Sequence, residues 1–185
     1  STYGDRSHKG LEQSIAELYE AIDTTISGHG NVLIPSFALE RSQEILYYLR
    51  EGVEQGRLPQ NLRVYLDSPM AISATEIFRR HPECFDEETW QVLASGRDPF
   101  SLPGLHYTRD TADSVALKQV EGAVFIAGSG MATGGRIRHH LRNNLWRPES
   151  SVIFVGFASQ GTLARTIIDG AKEVRIFQEE IAVKA

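Results

Sequence analysis

The stretch Gly128-Ser129-Gly130-Met131-Ala132-Thr133-Gly134-Gly135-Arg136 carries the residue types of an anion cradle. Glycines allow positive φ and close backbone approach, and a strand-to-helix turn leaves unpaired N–H groups at the helix start. Ser129, Thr133 and Arg136 would add side-chain donors around the Gly130 and Met131 amides. Such a loop can hold a phosphate, but a tight turn that needs glycine only for packing has the same composition. A dinucleotide fingerprint is a poor fit, because Thr133 stands in the third glycine's place and the next strand ends at Gly156 without an acid for a ribose. No Gly-Lys-Ser/Thr follows, so this is not a P-loop. Ala127 and Met131 flank Ser129 where a serine-hydrolase elbow needs glycines.

Between Glu121 and Glu149 the chain has no acid, yet it holds Arg136, Arg138, His139, His140, Arg142 and Arg147. That composition predicts either a local positive surface suited to phosphate or an ordinary solvated helix face. Neighbouring His139 and His140 would point about 100° apart on a helix and so rarely share one ion. His8, His29, His81 and His106 are scattered and match no zinc spacing. No metal site is expected within this chain from this spacing.

Three other strand ends carry polar residues. Pro35-Ser36-Phe37-Ala38 precedes a helix bearing Arg41, and Gly156-Phe157-Ala158-Ser159-Gln160-Gly161-Thr162 precedes one bearing Arg165. Either arginine is as readily a structural ion pair as a ligand contact. The second turn would lie beside the glycine loop if their strands are neighbours. In Asp67-Ser68-Pro69, Asp67 is either a site acid or the N-cap of the next helix, and Asp-Ser-Pro is a good helix start.

The elements that must hold these loops alternate in type. Leu11, Ile15, Leu18, Ile22 and Ile26 share one helical face, and Gly28-His29-Gly30 stops that helix. An apolar strand is predicted over 31–35, then a helix over 41–55 with Ile45, Leu46 and Leu49 inward and Gly56 ending it. A strand over 62–66 and a helix over 70–80 follow. Acids at 83–88 open a helix through Leu93, suiting the macrodipole, and the Gly- and Pro-bearing segment 95–105 is expected to be loop. The remaining order is strand 123–127, helix 134–145, strand 152–155, helix 163–168 and strand 174–177. Continuous apolar strands alternating with amphipathic helices predict an α/β fold, a three-layer α/β/α domain with a mainly parallel, Rossmann-like sheet. Sites in such sheets form at the strands' C-terminal ends.

Composition sets the outer bounds. The chain has 185 residues, the size of one domain, and its single cysteine, Cys84, excludes a disulfide framework. One unpaired cysteine fits a reducing, cytoplasmic compartment. No apolar run approaches the ~20 residues of a membrane span. The formal net charge of −5 rules out a generally basic nucleic-acid coat but not a local anion site.

Taken in order, these pieces resemble the β-CASP subdomain of RNA-processing metallo-β-lactamase-fold nucleases. The matching pieces begin with Ser1-Thr2-Tyr3-Gly4-Asp5-Arg6, then Pro35-Ser36-Phe37-Ala38 with Arg41 and Gln43-Glu44, then Asp67-Ser68-Pro69-Met70. They continue with Gly130-Met131, Gly134-Gly135-Arg136 and His140-Leu141, and finish with Gly156 and Gly161-Thr162-Leu163. The resemblance runs from Ser1 to about Val183 and is closer to bacterial members. It implies a single domain over 1–185, an insertion taken from a larger enzyme whose metallo-β-lactamase domain holds two zinc ions. It further implies that the parent hydrolyses phosphodiester bonds in RNA while this domain closes over the cleft and holds the strand. Ser36, Ser68, Ser129, Gly130, Met131, Thr133, Gly134, Gly135, Arg136, Gln160, Gly161 and Thr162 are the expected RNA and phosphate contacts. The expected partners are RNA and the parent's own metallo-β-lactamase domain, with a homodimer left open. Two rival readings are a free-standing α/β module for a small phosphorylated ligand and a packing or dimerisation unit. RNA binding by the domain alone should be weak and salt-sensitive.

Overall fold

The computed structural model describes residues 9–185, so the Ser1–Arg6 motif lies outside the described residues. Three of the strands are short apolar runs whose residues alternate between two buried faces. These are β1 (Val32–Pro35), β2 (Val64–Leu66) and β4 (Val124–Ala127). With β3 (Leu105–Tyr107) and β5 (Ser151–Val152) at its edges, they form a five-stranded sheet in the order β3-β2-β4-β1-β5, every pairing parallel.

Alternation divides the core between the two faces. Val32, Ile34, Val64, Leu66, Val124 and Ile126 point to α1 (Leu11–Ser27), α2 (Arg41–Glu54) and α3 (Pro69–Arg80). Leu33 and Phe125 point the other way, to Ile137 and Leu141 of α6 (Ile137–Asn144) and Ala164 of α7 (Leu163–Ile168). Burial on both faces is why these strands are continuously apolar. The three-layer α/β fold is therefore as expected. Two short helices, α4 (Glu87–Ala94) and α5 (Thr111–Ala116), fill the central connection. Asp86 caps α4 by accepting from Thr89 N at 2.8 Å.

Several local expectations are corrected. Leu11, assigned to the inward face of the first helix, is 59% exposed. The helix expected from Gly134 starts at Ile137, because Gly135 has φ 74° and cannot continue a right-handed helix. The strand expected over 152–155 is shorter and starts one residue earlier: Ser151 and Val152 pair with β1, and Ile153 N donates to Leu33 O at 2.9 Å. The final strand, β6 (Glu173–Ile176), does not join the main sheet. It forms an antiparallel hairpin with β7 (Glu179–Ala182), a strand not foreseen. The edge strand β3 begins within the segment expected to be loop; its His106 and Tyr107 are exposed and it lacks an apolar run.

Among the described residues, no helix is long and apolar enough to cross a membrane.

Candidate functional site

The strand order creates a switch point between β1 and β4. The chain leaves β1 into α2 on one face and leaves β4 into α6 on the other, so the two loops open a crevice at the strands' C-terminal ends. Crevices of this kind are where open parallel sheets bind ligands. The glycine loop, 128–136, and the Ser36–Glu40 turn form its walls. A Cβ built on Gly128 would stand 3.7 Å from Ser36 O and 3.9 Å from Ser68 Oγ, which places the turns after β1, β2 and β4 side by side.

The loop is closed by its own hydrogen bonds. Ser129 N donates to Gly134 O at 3.1 Å, Ile137 N to Gly128 O at 3.0 Å, and Gly134 N to Ser129 Oγ at 3.2 Å. Gly135 is obligatory here: beyond its positive φ, a Cβ would lie 2.2 Å from Gly128 O. Gly130 is glycine for another reason. A Cβ there would come within 2.8 Å of Phe37 ring atoms, so the missing side chain admits the Phe37 ring. The amides of Gly130, Met131, Thr133 and Gly135 donate to no acceptor among the described residues.

The expected side-chain donors are placed differently from one another. Ser129 and Thr133 are in the loop, their oxygens 3.4 Å apart. Ser36 is buried, bonded to Ser42 Oγ at 3.0 Å. Ser68, rather than Asp67, caps α3 by accepting from Ala71 N at 3.3 Å. Thr162 caps α7 by accepting from Arg165 N at 3.2 Å. These three hydroxyls fix the turns around the crevice. Gln160 and Gly161 are exposed at its far side, where β5 neighbours β1 instead of β4. The glycine loop instead meets the start of α7, where Ala164 N donates to Met131 O at 3.2 Å.

Arg136 faces inward. Its Nη1 donates to Asp67 Oδ1 at 2.8 Å and to Thr108 O at 2.9 Å, and its Nη2 to Arg109 O at 2.8 Å. Asp67 is fully buried, and its Oδ2 also accepts from His140 Nε2 and from Ser114 Oγ, each at 2.7 Å. Burial pushes the Asp67 carboxyl up, but the His140 and Ser114 hydrogen bonds, the His140 charge and Arg136 outweigh it and hold the group below the usual carboxylate range. Ser114 and His140 both meet Asp67 and not each other, so this is no nucleophile–base relay. The network joins four segments at the crevice floor: the end of β2, the turn after β3, α5, and α6. No spacing rule could have revealed Ser114 or the Thr108 and Arg109 carbonyls, which lie far from Arg136 in sequence.

The acid-free arginine stretch is neutralised in space. Arg142 makes a two-point contact with Glu179 at 2.8 Å, and Arg147 pairs with Glu121 and Glu149. The Arg138 guanidinium sits 4.5 Å over the Phe177 ring. Arg41 and Arg165 pair with Glu44 and Asp169. Of the two readings of 136–147, the free positive surface is thereby corrected: Glu179 and Glu121 reach Arg142 and Arg147 from distant segments, and Glu149 pairs with Arg147 from two residues away.

A cavity of about 850 Å³ lies elsewhere, along α2. Glu12, Glu40, Glu44, Glu51, Asp86 and Glu88 line it, a charge that repels phosphate. Among the described residues no three His, Cys, Asp or Glu side chains converge as a metal centre requires. The His140–Asp67 contact does not fit zinc either, since the Arg136 cation already holds the same carboxylate.

Comparison with known proteins adds an independent line. Residues 42–167 match the family model described as the Beta-Casp domain. The chain is 42% identical over 186 residues to "Ribonuclease TTHA0252" of Thermus thermophilus, covering 100% of this chain and 42% of that protein. It is 34% identical over 180 residues to "Transcription termination factor FttA" of Methanocaldococcus jannaschii, covering 95% of this chain and 28% of that one. An "RNase J-like protein" of the same archaeon is 29% identical over 189 residues, covering 100% of this chain and 42% of its own length. The chain thus spans less than half the length of these relatives.

Proposed function

The chain belongs to the β-CASP family, and on that premise we propose that it is the RNA-gripping domain of a larger zinc-dependent ribonuclease. The parent would hydrolyse phosphodiester bonds in RNA processing or decay, with this domain closing on the strand and the rest of the chain supplying the metal ligands. One observation carries the reading: in the loop that walls the crevice at the sheet's switch point, the Gly130, Met131, Thr133 and Gly135 amides have no acceptor among the described residues. Backbone amides recognise phosphate without regard to base, as a sequence-tolerant grip requires. Two further points support the reading, which leaves the zinc ligands to the parent's metallo-β-lactamase domain. Relatives are named as a ribonuclease and an RNase J-like protein. The single exposed Cys84 suits a cytoplasmic enzyme.

Thr133 gives the test. It is exposed at the cradle, so Thr133→Glu sets a carboxylate beside the amides without disturbing the core. In the full-length protein, Thr133→Glu should weaken single-stranded RNA binding at least about tenfold, through like-charge repulsion, whereas Thr133→Ser should leave it unchanged. Equal affinity in both variants, or a mononucleotide bound as tightly as an oligonucleotide, would overturn the proposal; the latter result would favour a small phosphorylated ligand.

A further inference from the structure

Phe37 is exposed where a folded chain gains nothing from leaving it so. It follows β1 at the crevice wall and is 48% exposed, with no aromatic or cationic partner among the described residues. Its position is nevertheless held. Ser42 Oγ donates to the Phe37 carbonyl at 2.7 Å and Ser36 Oγ at 3.1 Å, while Ser36 N donates to Ala127 O at 3.0 Å on β4. One part of the ring rests against Gly130, whose Cβ would collide with ring atoms Cδ2, Cε2 and Cγ at 2.8–3.2 Å. Two positions are therefore matched: a glycine that makes room, and an aromatic ring fixed over it with its remaining surface open.

The ring touches the same residue whose amide is unpartnered. A group stacked on Phe37 and an anion on the Gly130 and Met131 amides would be immediate neighbours, as base and phosphate are within a nucleotide. Arg136, Arg142 and Arg147 of the 136–147 stretch are each paired with a carboxylate, which leaves less free charge there to hold RNA.

We propose that Phe37 is a stacking platform for a nucleobase of single-stranded RNA, set beside the phosphate-binding amides of Gly130 and Met131. This deepens the RNA reading and rests on it. Base–aromatic stacking is sequence-tolerant and strengthens binding by on the order of tenfold per base.

The test uses the full-length protein and two probes of equal length, a single-stranded oligoribonucleotide and its abasic ribose-phosphate counterpart. Wild type should prefer the base-bearing strand by about tenfold. Phe37→Ala should lose that preference while binding the abasic strand as wild type does, and Phe37→Trp should keep it. Phe37→Leu retains apolar surface without a flat π-face and should behave like Phe37→Ala. If Phe37→Leu matches wild type, the ring docks apolar protein surface and stacking is wrong. If wild type binds RNA but Phe37→Ala keeps the preference, stacking fails while the RNA reading stands. If wild type binds neither probe, the RNA reading falls and takes stacking with it.

Discussion

Arg136 Nη1 and Asp67 Oδ1 lie 69 residues apart in sequence and 2.8 Å apart in space. This contact fastens the last residue of the glycine loop to the end of β2, and His140, one turn into α6, holds the same carboxylate. The loop's shape is therefore coupled to a buried charge beneath it.

Removing that charge should be costly. Asp67→Ala leaves Arg136 and His140 without their anion, and loss of one partner from a buried pair typically costs about 3–5 kcal/mol. Arg136→Ala should cost less, about 1–2 kcal/mol, because His140 and Ser114 still satisfy Asp67. Denaturant unfolding of the two variants checks the order, and equal losses would refute it.

The same carboxyl sets an acid dependence. Its folded-state pKa lies below its ordinary value of 3.8, so its contribution to stability is present above that range. The contribution is lost as pH falls through the folded value, hence below about pH 4. Unfolding free energy measured from pH 7 down to pH 2.5 should show this limb, and Asp67→Asn should flatten it.

Glycine replacements in the loop should separate two roles. Gly135→Ala forces a Cβ against the Gly128 carbonyl at positive φ, and should destabilise the protein by about 1–3 kcal/mol or more. Gly130→Ala meets the Phe37 ring instead, so it should displace the ring and weaken RNA binding with a smaller effect on melting temperature. Melting and RNA affinity measured on both variants decide the matter; a larger stability loss at Gly130 would contradict the geometry.

The ion pairs revise the salt sensitivity expected from the sequence: salt should weaken RNA binding by this domain only gently. With the 136–147 arginines already partnered, one or two phosphates at most would be neutralised. The plot of log affinity against log salt should then have a slope of about −0.7 to −1.4. A slope several times steeper would mean that the ion pairs open on binding.

In the core, Leu141 is fully buried between α6 and the sheet. Leu141→Ala should cost about 2–5 kcal/mol in chemical denaturation, and a loss under 1 kcal/mol would mean that this face repacks.

Much of this was readable in one dimension. Ile45, Leu46 and Leu49 mark the inward stripe of α2, and the runs around Val32–Pro35 and Val124–Ala127 mark central strands, because each pattern follows from local geometry and burial alone. The glycine loop was visible for the same reason: its backbone demands are local. The edge strand β3 and the β6–β7 hairpin were hard to see because their stabilising partners are on other segments, and half-exposed strands lack an apolar run.

What sequence alone determined, then, was the α/β alternation and the positions of the turns that could carry chemistry. Only the tertiary structure decided which side chains remain available there. It turned Arg136 inward to Asp67 and matched Arg142 with Glu179 and Arg147 with Glu121. It also left Phe37 open beside Gly130. The physical reason is that a charge or a ring is satisfied by whatever lies within a few ångströms, and a folded chain brings together residues that its sequence keeps dozens of positions apart.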